Sequence, residues 1–212
     1  MRSSILCLAA ALAAAAPVHA QSYGGGQSGP RTLLPRNEEI ALARSAAPAA
    51  LSDSATIYAL TDTGYEIAVA GTNGAACYVS RDWLHSIEPH CFDAEGAASV
   101  LPMAMRRVEL LHQGRTRDEA DREIAAGLLT GRFRVPTRPV VSYMLSAAQQ
   151  LVSDEGRSVG AWKPHVMIYY PYWTSTGVSG PEVMLSDAGK PTASLVVVVP
   201  TFVQPKQHAP PE

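Results

Sequence analysis

The stretch ATIYALTDTGYEIAVAGTNGAACYVS, residues 55–80, decides the fold. Runs rich in β-branched and aromatic residues alternate with polar turn residues, so 56–60, 65–70 and 76–80 read as strands and 61–64 and 72–74 as turns. Asn73-Gly74 tolerates the positive φ that a tight connection needs. Three short strands with short connections predict an antiparallel meander.

The third of these strands carries Cys77, and EPHCFDAEG (residues 88–96) carries Cys91. Residues 81–98 show no clean hydrophobic period and contain Pro89 and Gly96, which reads as a long ordered loop. Such a loop is usually functional or pinned by a crosslink. A Cys77–Cys91 disulfide would pin it to the third strand, worth about 3 kcal/mol on the chain-entropy estimate. The expectation rests on an even cysteine count in an oxidising compartment. A disulfide sulfur is neither a thiolate nucleophile nor a zinc ligand, and the spacing fits no zinc-finger pattern.

The compartment is read from the N-terminus. MRSSILCLAAALAAAAPVHAQ has a basic start, a short apolar run and small residues at Val18-His19-Ala20, the pattern of a secretory signal peptide over residues 1–20. The run falls short of the roughly 20 residues a bilayer span needs, and Cys7 would leave with the peptide. Residues 21–32 are Gly/Ser/Gln-rich and read as a flexible leader, and 204–212 as a Pro-rich tail. The body, 33–203, is expected to form one domain. With 17 Lys and Arg against 19 Asp and Glu and no basic run, nothing points to nucleic acid. No later stretch reads as a transmembrane segment. The chain is expected in the periplasm or secreted.

Helices are expected at three places. Asn37 can cap one that carries Glu38 and Glu39 in its first turn and stops before Pro48. Leu101, Ala104, Met105, Val108 and Leu111 line one face of a second, with Pro102 near its start and Gly114 at its end. Thr116 and Glu119 have capping-box spacing ahead of a third, whose stripe is Ala120, Ile124 and Leu128 and which ends at Gly131. Residues 140–145 read as a strand, 146–152 as a possible helix, 153–160 as a turn, 165–170 as a central strand, 187–191 as a turn and 194–199 as the last strand. The fold class is α+β: a mostly antiparallel sheet with two or three helices on one face and one disulfide.

Taken together, TNGAACYVSRD (72–82), EPHCFDAEG (88–96), WKPHVMIYYPY (162–172) and DAGKPTA (187–193) resemble a family of exported bacterial proteins with no established activity. The resemblance covers most of the chain after residue 20. It implies a single exported domain and assigns no catalytic role. No nucleophile elbow, zinc-protease helix, Walker loop or dinucleotide fingerprint is present.

Two regions can carry chemistry. His85, Glu88, His90, Asp93 and Glu95 offer nitrogen and oxygen ligands, and His165, placed after Pro164 at a strand start, could join them. A His90, Asp93 and His165 set would suit a metal-assisted hydrolase if the three converge. The bland alternative is a solvated polar loop and a buried histidine satisfied by backbone, which is the commoner fate of such residues. Trp162, Tyr170, Tyr172 and Trp173 form an aromatic group able to stack a sugar or grip a peptide. The competing role is sheet core and rim. Ser142 and Ser146 lack the lysine of a Ser-x-x-Lys arrangement. The reading favoured by sequence is an exported non-catalytic domain that binds an unknown partner or small ligand. No cofactor is implied and no metal site is assigned. The alternatives are the hydrolase and a structural envelope component.

Overall fold

The computed structural model describes residues 28–82, 85–153, 156–175, 177, 180 and 182–199. Residues 1–20, read from sequence as a signal peptide, most of the expected leader and the expected tail 204–212 lie outside the described residues. Among the described residues, five helices and ten strands follow in the order α1 (Arg36–Ser45), α2 (Ala49–Ser52), β1 (Thr56–Thr61), β2 (Gly64–Val69), β3 (Ala76–Ser80), β4 (Glu88–Phe92), α3 (Ala94–Ala98), α4 (Val100–His112), α5 (Arg117–Leu129), β5 (Val140–Met144), β6 (Leu151–Val152), β7 (Ser158–Gly160), β8 (His165–Tyr169), β9 (Val183–Ser186) and β10 (Ser194–Val198). Eight strands form one sheet in the order β2-β1-β3-β4-β5-β8-β10-β9, and β6 pairs with β7 apart from it. All pairings are antiparallel except β1 with β3. The α+β class with a mostly antiparallel sheet is as expected.

The parallel pair corrects the meander. β1 and β2 form the expected hairpin, but β3 lies on the other side of β1, with Thr56 opposite Ala76 and Ile57 opposite Cys77. Residues 70–75 carry the chain around the start of β1, where Thr72 N donates to Ser54 O and Thr56 N to Ala75 O. A Cβ on Gly71 would stand 2.2 Å from Thr56 N, so only glycine fits this crossing.

The long loop expected over 81–98 is instead a strand and a helix. β4 is buried along its whole length. Pro89 concealed it, since proline cannot donate to a ladder. Cys77 and Cys91 are directly opposite with Cα atoms 4.0 Å apart, a non-hydrogen-bonded pair. Two residues on, Val79 and Pro89 again turn their backbone polar groups away from each other. On the far side β4 pairs with β5 only at Cys91 and Phe92, so no partner awaits the missing Pro89 N–H. Asp93 then caps α3, its carboxylate accepting from Gly96 N at 2.7 Å. α3 lies so close to the sheet that a Cβ on Gly96 would meet Val140 and Phe92 at 2.6 and 2.7 Å.

Period-two alternation sorts the strands into two cores. Ile57, Cys77, Val79 and Cys91 pack with Ala43 and Ala46 under α1. Ala76, Tyr78, Phe92, Val140 and Tyr169 pack with Val100 and Leu101 of α4. α5 rests on α4 through Met103, Ile124 and Phe133. Thus α4 and α5, two of the three expected helices, share one face with the unexpected α3, whereas α1, the third, lies with α2 on the other face. The Thr116–Glu119 capping box forms as its spacing predicts. α1 starts two residues earlier than expected, with Pro35 at the N-cap and Asn37 inside the first turn. Residues 146–152 are not helical; they turn and enter β6.

The packed chain also begins before Leu33. Gly29 N donates to Leu111 O and Arg31 N to His112 Nδ1, both at 2.8 Å. Arg81, with no solvent exposure, donates from Nη1 to Glu39 Oε1 at 2.8 Å, from Nη2 to Glu39 Oε2 and from Nε to Thr32 O at 2.7 Å. Burial works against the Arg81 charge, but the bonds to Glu39 and its charge outweigh this and raise the guanidinium pKa.

Removing one member of such a pair leaves an unanswered buried charge. Glu39→Leu is expected to cost about 3–5 kcal/mol in urea unfolding, whereas Glu39→Leu combined with Arg81→Met costs far less. Equal losses in the single and double variants would mean that the pair does not act as a unit.

Candidate functional site

β8 runs between the two regions that sequence marked. At its start, Trp162 is 41 % exposed and its Nε1 donates to Glu88 Oε1 at 3.1 Å. The Trp162 ring meets His165 edge-on at 6.5 Å. At its far end lie Tyr170, Tyr172 and Trp173. Five strand residues span roughly 17 Å, so the aromatic residues form two sites rather than one cluster.

The Trp162 end leads into a buried polar row. Register puts Glu88 and His90 of β4, Ser142 of β5 and His165 of β8 on the same sheet face as Tyr78 and Phe92. His90 Nε2 and Ser142 Oγ share a hydrogen bond of 2.8 Å, and the His90 ring stacks on Phe92 at 4.3 Å. His165 Nδ1 lies 2.7 Å from Lys163 O. A carbonyl only accepts, so Nδ1 carries the proton. Burial, with a contribution from His165, depresses the His90 pKa to about 3. Burial also lowers that of His165, against the raising effect of the Lys163 carbonyl. Burial and the charge of Asp82 push Glu88 up to about 8, so at neutral pH it is held mostly as the acid.

His90 and His165 therefore face the same side of the sheet, on strands two apart. Asp93 is occupied elsewhere: besides Gly96 N, its carboxylate accepts from Val141 N at 2.9 Å. Glu95 accepts from Arg134 Nη1 at 2.8 Å and Thr137 N at 2.9 Å, which hold its carboxyl down at about 2. His85 Nδ1 bonds Thr32 Oγ1 at 3.1 Å. Among the described residues, no three His, Cys, Asp or Glu side chains are placed to hold a metal ion. Ser142 is fully buried, and Glu88, His90 and His165 are each buried. A substrate cannot reach Ser142 Oγ without parting the core. Sequence reasoning missed the Ser142–His90 contact because it depends on the β4–β5 register, which Pro89 obscured.

The other end is open to solvent. Tyr170 and Tyr172 are 54 % and 57 % exposed, and Tyr170 meets Trp173 edge-on at 6.1 Å. The loop is zipped to residues 187–193: Tyr170 N donates to Ala193 O at 3.0 Å, Tyr172 N to Lys190 O at 2.9 Å and Gly189 N to Trp173 O at 2.8 Å. Asp187 ties this turn together, bonded by Lys190 Nζ at 3.0 Å and Thr192 Oγ1 at 3.1 Å. Tyr172 has φ 61° and Asp187 φ 52°, the left-handed region that side chains with a Cβ seldom adopt. Trp162, Tyr170, Tyr172 and Trp173 are thus all placed, but only the last three lie together.

The pKa shifts give the buried row a pH signature. Glu88, raised from 4.5 to about 8, favours the fold fully below pH 4.5 and loses that contribution as pH rises to 8. His90, lowered from 6.5 to about 3, favours the fold above pH 6.5 and loses its contribution as pH falls toward 3. The slopes oppose each other between 4.5 and 6.5, leaving Glu88 alone on the alkaline side. Glu88→Gln is expected to raise the melting temperature at pH 8 and to change it little at pH 4.5. A wild-type fall between pH 6.5 and 8 in the variant would remove Glu88 as its cause.

No protein-family model, curated protein or solved structure matches the chain in comparison.

Proposed function

We propose that the chain is an exported, non-catalytic domain that binds a partner or ligand through the loop carrying Tyr170, Tyr172 and Trp173. Tyr172 is the observation that carries this reading. A non-glycine residue in the left-handed region costs on the order of 1 kcal/mol or more and persists where surrounding structure imposes it. Here three backbone hydrogen bonds to residues 187–193 impose it, and the outcome is an exposed ring instead of core packing. Exposed aromatic rings on a rigid loop supply large contact area at low ordering cost, with hydroxyl and indole groups to fix orientation.

Export is supported by the signal-like residues 1–20 and by the Cys77–Cys91 bond, since such bonds persist in oxidising compartments. No described helix is long and apolar enough to cross a membrane. A periplasmic or secreted location fits these features. The metal-assisted hydrolase reading draws less support, because backbone amides occupy Asp93 and His90 is buried against Ser142 and Phe92.

Tyr172→Gly separates binding from folding. Glycine accepts φ 61° without strain, so stability is expected to hold or to rise by about 1 kcal/mol. Binding to ligands selected from arrayed glycans and displayed peptides is expected to fall at least tenfold, as it is in Trp173→Ala. Folded variants that keep wild-type affinity for every selected ligand would sink the reading.

A further inference from the structure

The two edges of the sheet are treated differently. On the β2 edge, Arg36 Nη2 donates to Ile67 O at 3.2 Å and to Ala68 O at 3.0 Å, and Glu109 Oε1 accepts from Tyr65 N at 3.2 Å. Charged side chains thus occupy backbone groups that another strand would need. β9, Val183–Ser186, forms the opposite edge and has no such guard among the described residues.

The register shows which β9 groups are open. Val198 N donates to Glu182 O, and Met184 and Ser186 lie opposite Val196 and Ser194. Alternation therefore turns the N–H and C=O of Val183 and Leu185 outward. Val183 N turns back to Gly180 O at 3.3 Å, which leaves Leu185 in the middle of the edge. Both faces of this strand pair are apolar: Val183 and Leu185 continue the side of Leu195 and Val197, and Met184, 53 % exposed, continues the side of Val196 and Val198. The helices pack on β1 to β5 and reach β8 at Tyr169, two strands short of β9.

We propose that β9 is a docking edge for an extended polypeptide of a partner protein, which adds as a ninth strand. Its chemistry follows from the edge. Apolar side chains at alternate positions would continue both faces. A cationic residue would meet Glu182, which is exposed at the start of β9, with no ion pair to any described residue. Between Glu182 and Asp187 the strand bears no charge. The far end of the added strand would reach the 187–193 turn and the aromatic loop bonded to it. In naming the ligand class of that loop, the proposal rests on the binding reading above.

The test uses the full chain without residues 1–20 and a displayed library of random twelve-residue linear peptides. Enriched peptides are expected to alternate apolar residues and carry a lysine or arginine. N-methylation of alternate amides in the synthetic peptide should weaken binding at least tenfold on the wild-type protein. Leu185→Pro should do the same, because proline is tolerated where an edge N–H faces outward. Peptides that bind equally well to Leu185→Pro, or that survive N-methylation in both registers, overturn strand addition, as does failure to enrich any peptide. Glycan binding that Tyr172→Gly abolishes and Leu185→Pro spares would keep the aromatic site and discard the ninth strand. Peptide binding lost in Leu185→Pro and unchanged in Tyr172→Gly would keep the strand and discard the aromatic site. A dimer in sedimentation that Leu185→Pro converts to monomer would put a second copy on this edge and overturn the foreign-peptide assignment.

Discussion

Arg81 leaves β3 for an interior where no water answers its charge, and the fold is arranged around that fact. Its guanidinium draws Glu39 of α1, the carbonyl of Thr32 and the carbonyl of Val79 to one point. Arg31 Nε closes the arrangement by donating to Arg81 O at 2.9 Å. The small residues under α1, Ala43 and Ala46, let the helix approach the sheet but do not by themselves specify its position. A planar fork that must be met by a carboxylate does specify it. Helix, N-terminal segment and third strand are therefore coupled through one side chain, and the core around Cys77 and Cys91 has its cover because of it.

Local features were legible in the sequence where a single residue type forces a geometry. The β1–β2 hairpin, the Thr116–Glu119 cap and the strand at residues 140–144 follow from turn chemistry, cap spacing and alternation. Four features were not legible. The parallel placement of β3 depends on how residues 70–75 pass the start of β1, which strand periodicity cannot report. β4 was hidden because Pro89 argues against a central strand until its neighbours are known to require nothing from its nitrogen. β9 is four residues long and has no strong pattern of its own; its place is set by pairing with β10. Arg81 and Glu39 lie 42 positions apart, so nothing local joins them.

The candidate residues divide according to what the sheet does with each strand end. Where β4, β5 and β8 lie side by side, alternation turns His90, Ser142 and His165 inward, and aromatic neighbours take the place of solvent. Glu88 stays there as an acid bonded by an indole, a structural role for a residue type that in an open cleft would serve in acid–base chemistry. Past Tyr169, the chain leaves the helix-covered half of the sheet. There the same strand ends in a loop bonded to residues 187–193, and its Tyr170 and Tyr172 rings remain in water while Trp173 is partly covered. Burial thus separates a polar row held inside the molecule from an aromatic surface on its outside.

The disulfide has a temporal side as well. Both cysteines are fully buried, on the face that α1 covers. An oxidant, or an enzyme that exchanges disulfides, has to touch a sulfur to act on it. The bond is therefore made while the sulfurs are uncovered, before α1 closes over β3 and β4. Once the helix is docked through Arg81, the folded core shelters the bond from reductants.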